Sequence, residues 1–586
     1  MAFRNLQTYL RALEKRGELV VSELPLSPVL EIPHIADRSV KAGGPALLFT
    51  RPSGADFPLA MNLFGSESRM ALALGRRDLG ELEAVLGQFL DLNPSVLVKA
   101  LPTLAAFFPR RVFRAPVQEV VWRGADIDLG RLPITQSWPQ DAGRFITLPL
   151  VITRDPESRA LNVGMYRMQV LGPSSTAMHW QRHKIGAAQY FRSGSKFPVA
   201  VALGGDPALI YAATAPIPPL PLLDEFRLAG VLRGRAIELI KGVSVALPVP
   251  AQAEFILEGY VDPGEDWVSE GPFGDHTGFY TPPEPYPVFH LTAITHRKNP
   301  VYPATIVGPP PMEDAYFIEA SERLFAPALR TVLPQLVDYH LPPAGIAHNW
   351  VNVQIKKRYP GEAYQVAHGL LGLGQMMFAK LIWVVDSDVP IRPGFEAWLA
   401  GVANFIPGLD SVLTRGPLDV LDHAARGGGF GGKLILDATR KLPEELRGQI
   451  APVSLSAKLP EIGEISAQKQ WPGIWALSTP VKTQAEAWRL AERLLASPAA
   501  CGIRILLLAD AQINPHNPDE LLWAVLNNLE PERDARILSG NGGPVLVLDG
   551  RSKLPAEGAR FEWPKVARAD AATIRQIDQV WPKLKG

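Results

Sequence analysis

Two carboxylates, Glu270 and Asp275, stand five residues apart in the stretch VSEGPFGDHTGFY over 268–280. Gly271, Pro272 and Gly274 lie between them, which disfavours a regular helix or strand and predicts a shaped loop. A carboxylic acid can move a proton to or from carbon if it is held out of bulk water beside a cation that sets its charge. Two such groups on one loop can divide those roles. Upstream, the run NVGMYRMQV over 162–170 alternates as a strand does and carries Asn162 and Arg167. An arginine turned inward from such a strand requires an anionic partner, and Glu270 is the candidate. The plain alternative, a solvated acidic turn and a surface arginine, stays open on these residues alone.

Other residue types suit metal ligation or anion binding. His179 and His183 in MHWQRHK are four apart and would share a helical face, as a pair of ligating imidazoles does. The segment lacks the glutamate of the zinc-protease pattern, so ordinary structural histidines are the competing reading. Glu225 in LLDEFRLAG begins an apparent helix after a proline-rich run, where it could equally serve the helix dipole. Asn162 could be a turn residue or a neutral oxygen ligand for a hard cation. The loop ARGGGFGGK over 425–433 ends at Lys433 and could close over an anionic group. GLLGLGQ over 369–375 lacks the strand–turn–helix setting of a dinucleotide site, and no GxxxxGK[ST] occurs. The single cysteine, Cys501, excludes an internal disulfide or a thiolate cluster, so any metal must take nitrogen and oxygen ligands.

These residues need a large scaffold, and 586 residues are enough for two to four domains. Lys plus Arg and Asp plus Glu both number 59, which gives no electrostatic reason to expect nucleic acid or an anionic surface as partner. The beginning of the chain lacks a basic start followed by an apolar run, and no later stretch is apolar for about 18 residues. The expectation is a cytoplasmic protein with no transmembrane segment, peripheral membrane contact being left open. Phe3, Leu6, Leu10 and Leu13 share a helical face ahead of Gly17. An α/β unit is expected over 1–116. Over 117–305, short β-rich runs, one of them 161–171, suggest a barrel or sandwich, interrupted by a helix-like insertion at 179–191. An α/β domain follows over 306–450 and an additional α/β module over 451–586. That module repeats 346–445: Trp350, Ala363 and Ala367 recur as Trp475, Ala487 and Ala491, and GGKLILD from Gly431 recurs as GGPVLVLD from Gly542. The second copy has Glu492 for His368 and Pro544 for Lys433, which suits packing or assembly better than a second active site.

Taken together, NVGMYRMQV, MHWQRHK, LLDEFRLAG followed by GVLRGRAIELIKG, EGPFGDHTGFY, LIWVVDSDV and GGK resemble, in order and spacing, the UbiD family of reversible decarboxylases, which use prenylated FMN. The resemblance covers most of 1–445. It implies a multidomain α/β fold: an N-terminal α/β unit, a central split β-barrel similar to that of flavin reductases, and a C-terminal α/β domain, here duplicated. It implies that Asn162, His179 and Glu225 hold Mn2+ or Mg2+ against the cofactor phosphate, with His183 an alternative to His179. A monovalent ion, often K+, is usual nearby. Met165, Tyr166, Arg167, Trp180, Gln181 and Lys184 would line the flavin, and Lys433 would reach it. Glu270, Arg167 and Asp275 match the family's acid–base triad, the aspartate resembling the bacterial quinone-biosynthesis branch. The activity implied is decarboxylation of a hydroxyaryl or polyprenyl-hydroxyaryl acid in ubiquinone or menaquinone synthesis. A phenolic, heteroaromatic or cinnamic-type acid is the alternative within the class; an FMN-dependent split-barrel reductase and a non-catalytic scaffold are alternatives outside it. A flavin prenyltransferase would supply the cofactor, and a homo-oligomer, dimer or hexamer, is expected.

Overall fold

The computed structural model describes residues 3–90, 106–181, 184–217, 223–445, 452–453 and 463–584. The chain forms two compact units, one of 1–324 together with 565–586, the other of 325–564. This differs from the division expected for the tail: the final residues, sequence-adjacent to the second module, pack with the first unit.

In the first unit the opening helix is Leu6–Lys15. Asn5 caps it by accepting the Thr8 N–H while Thr8 reciprocates, and Leu6, Tyr9, Leu10 and Leu13 are buried. Phe3 precedes the helix and meets the Tyr9 ring edge-on at 5.2 Å. A four-stranded sheet runs in the order Leu19–Ser22, Ala46–Phe49, Leu59–Met61, Tyr302–Pro303, so its last strand comes from far along the chain.

The central sheet has nine strands. Its order is Phe145–Ile146, Met168–Gly172, Ser175–Met178, Val288–His296, Phe255–Val261, Phe197–Leu203, Pro149–Arg154, Leu161–Met165, and Val120–Trp122 pairs with Val288–His296. The run read from sequence as one strand over 161–171 is therefore two. Leu161–Met165 forms one edge and Met168–Gly172 lies next to the other, yet only Tyr166 and Arg167 separate them. A flat sheet cannot satisfy that connection; the sheet must curl, and it forms a half-barrel. Arg167 sits in the corner that curling creates.

The second unit holds the two copies of the repeat. One five-stranded sheet runs Leu336–His340, Trp350–Ile355, Leu381–Asp386, Phe430–Asp437, Ser411–Pro417; the other runs Ala467–Trp471, Ile474–Thr479, Ile505–Asp510, Gly543–Asp549, Ala535–Gly540. In both, the inner three strands are parallel and the outer two antiparallel. Polar groups join the copies. The buried Lys380 ammonium lies 3.0 Å from Asp422 of its own copy and donates to the carbonyls of Asn527 and Leu529 in the other. The Gly432 N–H donates to the buried Glu530 carboxylate at 2.7 Å. Among the described residues, no helix is long and apolar enough to cross a membrane.

Candidate active site

Glu270 ends the strand Val268–Glu270, which pairs with Glu284–Tyr286. Gly271 follows at φ +94°, a conformation that favours glycine, and turns the chain into a hairpin of Phe273–Gly274 with Tyr280–Thr281. Asp275 occupies the hairpin loop, its N–H donating to the Phe279 carbonyl at 3.0 Å. Neighbouring segments fix this backbone. The Gly271 N–H donates to Gln169 at 2.9 Å and the Gly274 N–H to Asp141 at 2.8 Å. The other Asp141 oxygen accepts from the N–H groups of Ser137 and Trp138.

Arg167 reaches both carboxylates. Its Nε and Nη2 each donate to Glu270 at 2.8 Å, a bidentate pair, while Nη1 pairs with Asp275. Nη2 also donates to the Thr281 hydroxyl at 3.1 Å, and the guanidinium lies 4.6 Å from the Phe273 ring centre. Side-chain exposures are 8% for Arg167, 0% for Glu270 and 10% for Asp275, so this is a desolvated cluster and not the solvated turn that the residues alone allowed.

Burial alone would raise both carboxyl pKa values, but the Arg167 charge outweighs it. Glu270 is held at about 2, with His179 assisting, and Asp275 is held well below the usual carboxylate range, with His276 assisting. Burial and the adjacent Arg167 charge lower the His179 pKa and favour its neutral form. Its Nδ1 lies 3.2 Å from Glu270, consistent with a proton on that nitrogen, and its Nε2 lies 3.5 Å from the Tyr286 hydroxyl. Burial raises Asp141 to about 6 against its three backbone donors.

The expected ligand set is only partly assembled. Asn162 is buried on Leu161–Met165 and lies within hydrogen-bond reach of the Tyr166 hydroxyl. Glu225 opens the helix Glu225–Arg233 and accepts the N–H of Val163, the residue after Asn162, at 2.9 Å. His179 instead belongs to the Arg167–Glu270–Tyr286 cluster. His179 is not helical: the helix is Ile185–Phe191, Lys184 occupies its N-cap position, and His179 and Trp180 follow the strand Ser175–Met178 through a tight turn in which the Trp180 N–H donates to the Met178 carbonyl at 2.8 Å. That turn, with the His179 N–H donating to the Arg167 carbonyl at 3.3 Å, places His179 beside Glu270. His183 lies outside the described residues. Gln181 is half-buried beside this chain, and Met165 half-buried at its strand end. Lys433 belongs to the second unit, where its ammonium donates to the carbonyls of Met377 and Ala379 at 2.6 and 2.8 Å and burial lowers its pKa to about 8.

Two observations bear on whether a metal and a phosphorylated cofactor fit. Burial pushes Glu225 to about 7, its close polar neighbours being two backbone N–H groups and the Asp224 carboxylate, so a cation there would relieve a real desolvation penalty. Trp180 is buried, and its Nε1–H has no hydrogen-bond partner among the described residues. Both groups fit a cation–phosphate pair.

Gln169, Asp141, Thr281 and Tyr286 were not anticipated. Gln169 lies inside the run that drew attention to Arg167, whereas Asp141 in WPQDAGR carries no spacing signal; only the fold brings it under the hairpin.

A buried arginine bridges two carboxylates in the corner of a curled antiparallel sheet within a multidomain α/β protein, an arrangement able to hold and move a proton. The comparisons with known proteins agree. The family model described as 3-octaprenyl-4-hydroxybenzoate carboxy-lyase Rift-related domain matches 110–310, the N-terminal domain of the same family matches 10–88, and its C-terminal domain matches twice, at 315–438 and 441–561. A protein of Aquifex aeolicus is 47% identical over 489 residues, covering 81% of this chain and 98% of its own length. Among solved structures, an evolved dimeric form of the UbiD-class enzyme HmfF from Pelotomaculum thermopropionicum, in complex with prFMN, is 29% identical with TM-score 0.63, covering 75% of this chain and 96% of its own. The closed form of vanillic acid decarboxylase from Sedimentibacter hydroxybenzoicus is 25% identical with TM-score 0.69, covering 85% and 100%. The chain belongs to the UbiD family of carboxy-lyases.

Proposed function

We propose that this chain catalyses the reversible, non-oxidative decarboxylation of an aromatic carboxylic acid with prenylated FMN, the acid being a hydroxyaryl or polyprenyl-hydroxyaryl carboxylate of ubiquinone or menaquinone biosynthesis. The observation that carries the reading is the Arg167 guanidinium shared between Glu270 and Asp275 out of solvent. Loss of carbon dioxide from an sp2 carbon leaves an electron pair that no side chain can delocalise, and the prenylated flavin supplies the electron sink. The protein's own residues do the rest. Arg167 attracts the substrate carboxylate and, with Glu270, orients it. A second negative charge beside Asp275 raises its proton affinity, so the acid that the free protein holds ionised takes up a proton. The bond to the carboxyl carbon breaks, carbon dioxide leaves, and Asp275 delivers its proton to the vacated carbon. No oxidant or reductant is consumed. The FMN reductase reading has no use for this triad.

Asn162 and Glu225, with His179 after a rotation away from Glu270, would hold Mn2+ or Mg2+ at the cofactor phosphate; K+ would sit nearby. Met165, Tyr166, Trp180, Gln181 and Lys184 would line the flavin. A cytoplasmic dimer or hexamer, loaded by a flavin prenyltransferase, completes the reading. The vanillic acid decarboxylase among the similar structures favours a phenolic acid as the second substrate class.

The test is to co-express the chain with a flavin prenyltransferase, supply manganese and potassium, and follow deuterium incorporation into a panel of aryl acids. Bound modified flavin and exchange at the ring are expected. A holo preparation without modified flavin would overturn the reading. Asp275→Asn should retain flavin and lose exchange by at least about a hundredfold, the scale of a general acid.

A further inference from the structure

We propose that the returning C-terminal segment, 565–584, is a positioning element of the active site: it pairs with the hairpin that carries Asp275 and anchors that hairpin to the core of the first unit. The inference rests on the role given to Asp275.

Three contacts place the segment on the hairpin. The Tyr280 N–H donates to the Lys565 carbonyl at 3.0 Å, the Ala567 N–H donates to the Gly278 carbonyl at 2.9 Å, and Phe279 and Val566 form an antiparallel bridge between them. A hairpin of two residues a side is marginal alone, and the segment supplies a third strand. Ala567 is fully buried. A Cβ built on Gly274, the residue before Asp275, would lie 2.8 Å from the Ala567 methyl and 2.3 Å from the Trp138 ring, so the backbone beside the acid is pinched between tail and core. Gly278 and Tyr280 are buried, so withdrawing the segment would leave a carbonyl and an N–H without partners.

The segment is itself tethered. The helix Ala571–Leu584 buries Ile577 and Leu584 in the same core that contains Trp138, Tyr166, Trp180 and Tyr280. Arg38, on the helix Glu31–Lys41, lies 2.8 Å from Asp578 and donates to the Ile574 carbonyl, with its guanidinium 6.0 Å from the Trp581 ring centre. Displacing this helix would therefore release a strand that touches the residues on either side of the acid.

The test uses the full chain with Ala567→Pro, which removes one N–H, and Ala567→Gly, which keeps it. Amide hydrogen exchange is read on the protein without cofactor, and turnover on the loaded enzyme. In Ala567→Pro, exchange over 278–280 should accelerate at least tenfold while that of the central strand 197–203 stays within twofold. In the loaded enzyme kcat should fall about tenfold with KM within twofold, and Ala567→Gly should regain most of it. Arg575→Ala, on the exposed side of the terminal helix, serves as the unaffected control. If Ala567→Pro does not fold, Ile577→Ala loosens the tether outside the hairpin and should produce the same local acceleration. Unchanged protection over 278–280 in a folded variant overturns the inference and leaves the decarboxylase reading intact. Local acceleration in a chain whose unmodified form shows no turnover overturns the decarboxylase reading instead.

Discussion

Arg167 makes four hydrogen bonds, three to two carboxylates and one to a threonine, and that concentration makes the site sensitive to charge. Glu270 has its pKa lowered from 4.5 to about 2, so its pairing contributes stability that is present above pH 4.5 and is lost as pH falls through 2. Replacing Arg167 by Met reverses the sign. Burial then raises both carboxyl groups, and stability is lost as pH rises through their new values. Arg167→Met should cost about 3–5 kcal/mol near neutral pH, the penalty for uncompensated buried charge, and the deficit should shrink between pH 7.5 and 5.5. Thermal unfolding at the two pH values checks it; a pH-independent deficit would argue against paired burial. Glu225 gives a second residue-level expectation. If it faces a divalent cation, manganese at a hundredfold excess over its Kd should stabilise the protein by about 2.7 kcal/mol, and Glu225→Gln should remove most of that gain in a Tm titration.

At the scale of elements, the half-barrel creates the corner for Arg167 and the hairpin presents Asp275 to it. Gly274→Ala tests how closely the hairpin is held, because the new methyl meets Trp138 and Ala567 at distances no neighbour can accept. We expect a loss of about 1–3 kcal/mol from overpacking, with turnover reduced more than substrate binding, measured by denaturant unfolding and steady-state kinetics. Much of this was legible in the chain. The alternating run around Arg167 and the glycine-punctuated loop around Asp275 each announced an element, and opposite charge suggested that they meet. The break at Tyr166 and Arg167 was not legible, because residues on both sides of it alternate and only long-range pairing shows that they belong to opposite edges. His179 was misplaced for a related reason: a spacing of four suits a helix, but His179 directly follows the paired strand Ser175–Met178 and lies in the tight turn at its end.

In the molecule as a whole, the repeat was readable because its tryptophans and glycines recur in register, and the two sheets share one strand order. What spacing could not reveal is the polar seam between the copies. Lys380→Met should deprive the buried Asp422 of the ammonium 3.0 Å away, costing roughly 3–5 kcal/mol. Because the second copy supplies two carbonyls to the same ammonium, both copies should lose stability in one calorimetric transition; two separated transitions would show that the seam does not couple them. The return of 565–584 to the first unit also alters how the additional module is to be tested. A truncation near 450 removes this segment along with the module, so assembly must be probed by deleting 451–564 with the ends rejoined.

That return makes the second unit an insertion within the first. On the ribosome, the residues that pair with the Asp275 hairpin are made after every strand of the inserted unit has been translated, so the first unit cannot close its core in the order in which it is written. It must wait, with its longest-range contacts formed last. A nascent chain interrupted within the inserted unit would carry Arg167, Glu270 and Asp275 and still lack the strand that pairs with the Asp275 hairpin.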